Sequence, residues 1–148
     1  MVDADRLKQV LKHSKTLPEK IRETHDHIEA LRSKAEIKVV KRDETGVIVH
    51  NNRDFMGAYV SIDEELRSRL DRLHTIRAAQ LRMLIRVIDI RHSDIFFDYY
   101  STGKSMTQIA EEKQYDRRTI YRIINDGLFE LSGKVTESEL EELEKMIS

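Results

Sequence analysis

The sequence predicts a mainly α-helical protein, and three observations lead to that prediction. The chain of 148 residues contains one proline and five glycines, so few positions interrupt a helix. Leu, Ile, Glu, Lys and Arg are abundant, and their side chains lose little rotamer freedom in a helix. Apolar residues also recur at intervals of three and four over long segments, which is the spacing of one helix face.

Composition excludes several classes of protein. The chain has no cysteine, so it has no disulfide scaffold, thiolate metal site or thiol nucleophile. It also lacks an apolar run of the roughly 20 residues that a membrane helix needs, and its amino end lacks the apolar core of a signal peptide. We therefore expect a soluble, cytoplasmic protein that does not contact a membrane.

The charge is unevenly distributed along the chain. Basic and acidic residues nearly balance, 26 against 27, but residues 135–148 alone carry five Glu and one Lys. Without that segment the chain has a net charge of +3. The small overall charge therefore does not argue against a nucleic-acid partner.

The first predicted part, residues 1–60, contains two helices and a linker. A short amphipathic helix ends before Pro18, and a second helix covers about 17–36, with Thr16 and Glu19 as a capping box. The helical spacing then disappears. We expect a linker there, with a short β-hairpin over 37–49 as the alternative.

The second predicted part, residues 61–92, is one long helix. Ser61 and Glu64 form a capping box ahead of apolar residues at helical spacing. Such a helix would be about 45 Å long, more than one small core can cover. We therefore expect it to mediate oligomerisation, and specifically a homodimer.

The third predicted part, residues 93–134, contains a short aromatic helix capped by Ser93 and then a helix-turn-helix. Ser105 caps a helix over 105–113, and Asp116 caps a helix over 117–131 that Ser132 and Gly133 end. The last part, residues 135–148, is an acidic helix over 137–147. It begins with a box formed by Thr136 and Glu139.

The second helix of the helix-turn-helix carries the candidate binding residues. Its first two turns show Arg117, Arg118, Tyr121 and Arg122 opposite an apolar face. Cations at a helix amino terminus are unfavourable by a few tenths of a kcal/mol, whereas Arg can bond a guanine edge in the major groove. The predicted DNA-binding residues are Ser105, Lys113, Arg117, Arg118, Thr119, Tyr121 and Arg122. The alternative is a plain helical hairpin with surface arginines.

No residue pattern supports a catalytic hypothesis. There is no glycine-rich phosphate loop and no recognisable Ser/His/Asp grouping. His25 and His27 are two residues apart, so their side chains do not meet on one helix face. We expect no enzyme activity, no metal and no cofactor.

Residues 93–131 resemble region 4 of sigma-70-type factors, and more closely the version in RinA/ArpU-type phage late transcriptional regulators. The matching residues are Tyr100, Gly103, Ser105, Ile109, Ala110, Asp116 through Arg122, Leu128 and Leu131. Departures are Gln114, where a turn glycine is usual, and Asp98, where an aliphatic is expected. The resemblance implies a DNA-binding activator of late packaging, structural or lysis genes that acts with host RNA polymerase.

Two other functions fit the same pattern. One is a small-terminase-like DNA-packaging adaptor, which also joins a helix-turn-helix to an oligomerising helical part. The other is a helical protein-interaction module. For the acidic helix we consider two hypotheses. The first is that it folds back onto the protein's own helices. The second is that it contacts the basic surface of another protein, or competes with phosphate for Arg117 and Arg118 and so restrains non-specific DNA binding.

Overall fold

The computed structural model describes the main chain of residues 1–45 and 49–148, and the side chains of residues 1–34 and 56–148. In these ranges the chain forms seven helices and no strand, which confirms the mainly α prediction. The helices are α1 (Ala4–Ser14), α2 (Leu17–Thr45), α3 (Val49–Leu84), α4 (Ser93–Ser101), α5 (Met106–Lys113), α6 (Arg117–Lys134) and α7 (Glu137–Ile147). None of these described helices is both long and apolar enough to cross a bilayer.

The helices divide into two compact units. The first unit combines Met1–Pro18 with Thr75–Ser148, and the second consists of Glu19–His74. This division differs from the four consecutive parts that the sequence predicts. In particular, α1 belongs to the same unit as the predicted helix-turn-helix, although some 90 residues separate them in the chain.

The predicted linker is wrong where the structure describes it. Residues 37–45 continue α2 and residues 49–60 begin α3, so neither a loose segment nor a hairpin over 37–49 is present there. Residues 46–48 lie outside the described residues. The β-branched residues in this region cost only a few tenths of a kcal/mol each in a helix, and residues 37–45 contain neither Pro nor Gly.

The capping box predicted at Ser61 and Glu64 is also wrong, because both residues lie inside α3. A Ser and a Glu three residues apart occur on exposed helix faces as well as at caps, and Ser61 is exposed. The helix also passes through Gly57. A mid-helix glycine costs roughly 1 kcal/mol, which does not stop a helix of this length.

The second unit keeps an apolar stripe on each of its helices. Ile28 of α2 is buried and Ile21 is half-buried, while Leu66, Leu70 and Leu73 of α3 are half-buried. The stripe that the sequence predicts on the long helix therefore exists, and it is only partly covered.

The core of the first unit forms where α1, α4, α5 and α6 pack together. α6 packs against α1, α4 and α5, and α7 packs against α1. α4 and α6 approach each other closely, because a Cβ atom at Gly127 would come within 2.2 Å of the buried Phe96 ring. The fully buried side chains include Leu7, Leu11, Ile95, Phe96, Ile109, Ile120, Leu131 and Leu140.

The segment between α3 and α4 depends on one carboxylate. The helix predicted to reach residue 91 ends at Leu84. Beyond it, Glu130 of α6 accepts backbone hydrogen bonds from Ile88, Asp89 and Ile90 at 2.8, 3.0 and 2.9 Å. This carboxylate supplies an alternative to further helical bonds, so the chain leaves the helix and turns towards α4.

Burial alone would raise the pKa of Glu130. The Lys134 ammonium at 2.7 Å and the three backbone N–H groups outweigh that effect and hold the pKa below its ordinary value. The side chain is only 8% exposed, so these bonds are poorly replaced by water.

The stop predicted at Ser132 and Gly133 is wrong, because α6 continues to Lys134. The Ser132 hydroxyl bonds back to the Phe129 carbonyl at 2.7 Å and so stays within the helix. The Ser132 carbonyl accepts the backbone N–H of Val2 at 3.0 Å, which ties the amino end of the chain to the end of α6.

The acidic helix α7 folds back onto the first unit, as the first of the two hypotheses predicts. Leu140 and Leu143 are buried. Arg6 pairs with Glu137 and Glu144, which raises the pKa of the Arg6 guanidinium, and Arg86 pairs with Glu139. The predicted cap also forms, because the Thr136 hydroxyl accepts the Glu139 N–H at 3.2 Å.

The close crossing at Gly127 generates a first prediction. Gly127→Ala gains helix propensity, but its methyl group would overlap Phe96, which is fully buried and has no space to move into. We expect a net loss of about 2 kcal/mol in the free energy of unfolding, measured by urea denaturation. Gly133→Ala is the matched control, because nothing lies within 4 Å of a Cβ there. Equal stability of the two variants would contradict the crossing.

Glu130 generates a second prediction. Glu130→Gln removes the charge and is expected to cost about 2 kcal/mol at pH 7. Because the folded-state pKa lies below the ordinary value of 4.5, the charged form stabilises the fold above that pH, and the contribution is lost as the pH falls through the folded-state value. The stability difference between the parent and the variant should therefore shrink towards pH 3. Urea denaturation at both pH values checks this, and a pH-independent difference would contradict it.

Candidate nucleic-acid interface

Helices α5 and α6 cover the predicted helix-turn-helix and are joined by a short turn, and a local hydrogen-bond pattern caps the start of α5. The Ser105 hydroxyl accepts the Gln108 N–H at 3.1 Å, and the Gln108 side chain accepts the Ser105 N–H at 2.9 Å. This reciprocal capping box fixes where α5 begins. Ile109 and Ala110 are buried, as the predicted close packing of the two helices requires.

The turn between α5 and α6 adopts the usual left-handed geometry without a glycine. Gln114 has φ 59° and ψ 42°, and the Tyr115 N–H bonds the Ala110 carbonyl at 3.0 Å. A side chain in this conformation costs on the order of 1 kcal/mol. Asp116 then occupies the N-cap position of α6 with extended backbone, as predicted, although its carboxylate makes no capping hydrogen bond.

The exposed side of the first two turns of α6 is the candidate binding surface. We call Arg117, Arg118, Tyr121 and Arg122 the arginine face. All four residues are exposed, and Tyr121 is 55% exposed although it is aromatic. They span an arc of roughly 140° at 100° per residue. The described part of the chain offers none of the three guanidinium groups a carboxylate within 4.0 Å.

The remaining predicted site residues surround this face in different ways. Thr119 is half-buried at the edge of the α6 core side. Lys113 ends α5, and its ammonium lies 3.7 Å from the Asp94 carboxylate. The Ser105 side chain takes part in the capping box, so its main role in the structure is to begin α5.

Sequence analysis missed the contribution of α1 to this unit. The Ser14 hydroxyl donates to the Tyr100 carbonyl at 2.9 Å, and the Lys15 ammonium lies 3.2 Å from the centroid of the Tyr99 ring. The Lys15 ammonium also donates to the Lys104 carbonyl at 3.1 Å. No local pattern signals these contacts, because their partners lie more than 80 residues apart in the chain.

The chain packs closely at the segment that precedes α5. Gly103 has φ 75°, and a Cβ there would lie 2.8 Å from the Lys15 carbonyl oxygen. Burial lowers the pKa of Lys15 to about 8, but the aromatic ring and the Lys104 carbonyl both favour the cation. The end of α1 therefore contacts and holds the loop that precedes α5.

No family model, no curated protein and no solved structure matches this chain. The chemistry of the arginine face therefore indicates what kind of partner this protein binds. The first turns of α6 carry exposed guanidinium groups with no ion pair among the described residues, and an exposed phenol, so they present donors to an anionic partner.

Proposed function

We propose that this protein is a sequence-specific, double-stranded-DNA-binding transcriptional regulator whose helix α6 enters the major groove. The observation that carries the proposal is the arginine face: three exposed guanidinium groups on the amino-terminal turns of α6 that form no ion pair within the described part of the chain. The major groove is about 12 Å wide and admits one α-helix, and arginine bonds guanine there through two parallel hydrogen bonds.

The contacts of two other arginines in the chain support this proposal by comparison. Arg6 and Arg86 hold α7 in place through its glutamates, so they have a structural use. Among the described residues, the guanidinium groups of the arginine face form no such ion pair between helices. The positive end of the helix dipole also disfavours their charges. Contact with phosphates and base edges would offset that local cost.

The resemblance to RinA/ArpU-type regulators makes the proposal more specific. It favours an activator of late phage genes for packaging, structural or lysis proteins, which works with host RNA polymerase. Exposed apolar side chains outside the arginine face support a protein partner of this kind: Ile85 and Ile88 precede α4, and Phe129 lies two turns beyond Tyr121. Apolar surface of this kind is typical of protein contacts.

We further propose that the regulator acts as a homodimer. A single unit of this size rarely provides enough specific DNA affinity, whereas two copies would bind half-sites about 34–36 Å apart. The stripe on α3 supports self-association, since Leu66, Leu70 and Leu73 are only half-buried and Ile62 at its end is 44% exposed.

A substitution in the arginine face tests the DNA-binding proposal. Arg118→Ala should cost roughly 1–3 kcal/mol in binding free energy on a selected site and should relax discrimination at particular base pairs. The measurement is fluorescence anisotropy with the selected site and with single-base variants of it. Arg22→Ala is the matched control, because Arg22 is an exposed arginine that pairs only with Glu19 on its own helix. Equal affinities of Arg118→Ala and the parent would contradict base reading by α6.

The second candidate function, a DNA-packaging adaptor, would also use the α3 stripe for self-association. The number of copies in the assembly distinguishes it from a dimeric regulator. We expect sedimentation at tens of micromolar to show a dimer, because a two-half-site operator needs two copies. Leu70→Glu, which puts a charge on the stripe, should then produce monomers that retain their helical content. A closed ring of many copies would instead favour the packaging adaptor, and a monomer with full DNA affinity would contradict dimerisation.

A further inference from the structure

Helix α7 lies in a groove of the first unit. On one side it packs against α1. On the other side it faces residues 79–86, at the end of α3 and just beyond it, across a cavity. We call the surface formed by α1 and residues 79–86 the α7 groove. Ion pairs join the helix to both sides of this groove: Arg6 with Glu137, Arg6 with Glu144, and Arg86 with Glu139.

The contacts that hold α7 in the groove are few. Leu140 and Leu143 are the two buried residues among its 11. The Arg6 side chain is 36% exposed and that of Glu137 is 54% exposed, and ion pairs this exposed contribute little to stability. A helix of this length is also marginal by itself in water. α7 is therefore held in place largely by its two-residue connection to α6, which gives it a high effective concentration at the groove.

Open cavities flank α7 on both sides. The cavity between α7 and α1 has a volume of about 550 Å³, and Val10 and Ile147 are part of its lining. The cavity between α7 and the end of α3 has a volume of about 220 Å³, and Met83 and Met146 are part of its lining. Protein interiors are close-packed, so α7 fills its groove incompletely. A helix with larger apolar side chains at its last turn would fill these cavities better.

The charges that line the two cavities differ between the helix and the groove. Every side-chain carboxylate in these linings belongs to α7: Glu139, Glu142 and Glu144. The groove contributes cations to the same linings and no carboxylate: Lys12, Arg82 and Arg86. Asp3 and Asp5, at the start of α1, line neither cavity. Without α7, the groove would present positive charge beside apolar surface, which is complementary to an acidic amphipathic helix.

We propose that the α7 groove is a docking site for an acidic amphipathic helix of a partner protein, which displaces α7 and binds in its place. This inference does not depend on DNA binding by α6. It assigns to the protein a second surface, of opposite preference in partner: the arginine face takes a nucleic acid, and the α7 groove takes a helix that carries carboxylates.

The contacts of α7 define the chemistry of the partner helix. Its carboxylates stand at a first position and two and seven residues later, as Glu137, Glu139 and Glu144 do. Its apolar side chains stand three and six residues after the first position, as Leu140 and Leu143 do. Larger apolar side chains follow in the last turn, where the two cavities lie. The carboxylates fix the orientation and register of the helix, and the apolar side chains supply the affinity.

The experiment uses a labelled peptide with the sequence of residues 136–148 and measures its binding to full-length protein by fluorescence anisotropy. The parent should bind it weakly, because tethered α7 occupies the groove. Leu140→Ala in the protein loosens its own α7 and should tighten peptide binding by about tenfold or more. Ile28→Ala is the matched control, because it truncates a buried side chain of the second unit and leaves α7 in place. It should bind the peptide as the parent does.

A second variant loosens α7 without removing any apolar side chain. Glu137→Arg together with Glu144→Arg in the protein replaces both ion pairs to Arg6 by repulsion. We expect the same gain in peptide affinity as for Leu140→Ala. Circular dichroism checks that each variant keeps the helical content of the rest of the chain. If Leu140→Ala unfolds, this variant decides the outcome.

A charge reversal tests whether the peptide binds in the groove. Arg6→Glu, added to the Leu140→Ala protein, should weaken peptide binding by about fivefold or more, because carboxylates then face each other. A peptide with Glu137→Arg and Glu144→Arg should restore the affinity. A peptide with Glu141→Arg and Glu142→Arg has the same net charge and should not, because neither of these residues pairs with Arg6 in α7.

The cavities are tested with a larger side chain in the peptide. Ile147→Phe should tighten binding to the Leu140→Ala protein by about threefold, because the ring enters the larger cavity and buries more apolar surface. Ser138→Phe is the matched control, because it adds the same ring at an exposed position of the helix. It should leave the affinity unchanged.

Three outcomes would overturn the inference, and none of them bears on DNA binding. If the peptide binds neither loosened variant, the groove does not accept a helix from outside the chain. If it binds but the Arg6→Glu effect is not restored by the reversed peptide, it binds elsewhere. If the Leu70→Glu protein forms dimers that excess peptide dissociates, the occupant is α7 of a second copy, and the assignment to a different protein is wrong.

Discussion

The close crossing of α4 and α6 is the constraint on which the rest of the first unit depends. Gly127 has no side chain, and the Phe96 ring fills the space that a side chain would take. Because α6 is one continuous helix of 18 residues, fixing it at Gly127 also fixes the direction of its first two turns. A contact deep in the core therefore determines how Arg118 and its neighbours are presented, about 13 Å further along the helix axis.

The charged residues of this unit divide into two groups with different uses. Glu130 holds the segment before α4, and Arg6 and Arg86 hold α7, so these charges are satisfied inside the unit. The guanidinium groups at the start of α6 are left without such partners. The near-zero net charge of the chain conceals this division, because Glu137, Glu139 and Glu144 of α7 pair with Arg6 and Arg86. Electrostatic function follows from the distribution of charge, not from its sum.

The sequence predicted the features that depend on neighbouring residues. The caps at Ser105 and Thr136 are hydrogen bonds spanning three residues, so the pattern alone located the starts of α5 and α7. The pattern did not predict helix boundaries that depend on contacts with residues distant in the chain. The end of α3 at Leu84 depends on Glu130, which lies more than forty residues away in the chain. The start of α3 was predicted wrongly at Ser61, because Ser and Glu three residues apart also occur inside helices. The arginine face was predictable, whereas the position of His92 beside Tyr115 required the tertiary structure.

In the sequence, the second unit stands between the two segments of the first unit, and the hydrogen bond from Val2 to Ser132 at the end of α6 joins those two segments. During synthesis α1 is made before α4 and α6, so Leu7 and Leu11 have no core to enter until those two helices have been made. The free-energy cost of closing the intervening chain grows only with the logarithm of its length, so residues 19–74 could vary in length with little effect on stability. The length of residues 19–74 instead sets the time between the synthesis of α1 and the synthesis of the helices that cover it. During that time the apolar side of α1 is exposed, and it is the surface that a chaperone would have to cover.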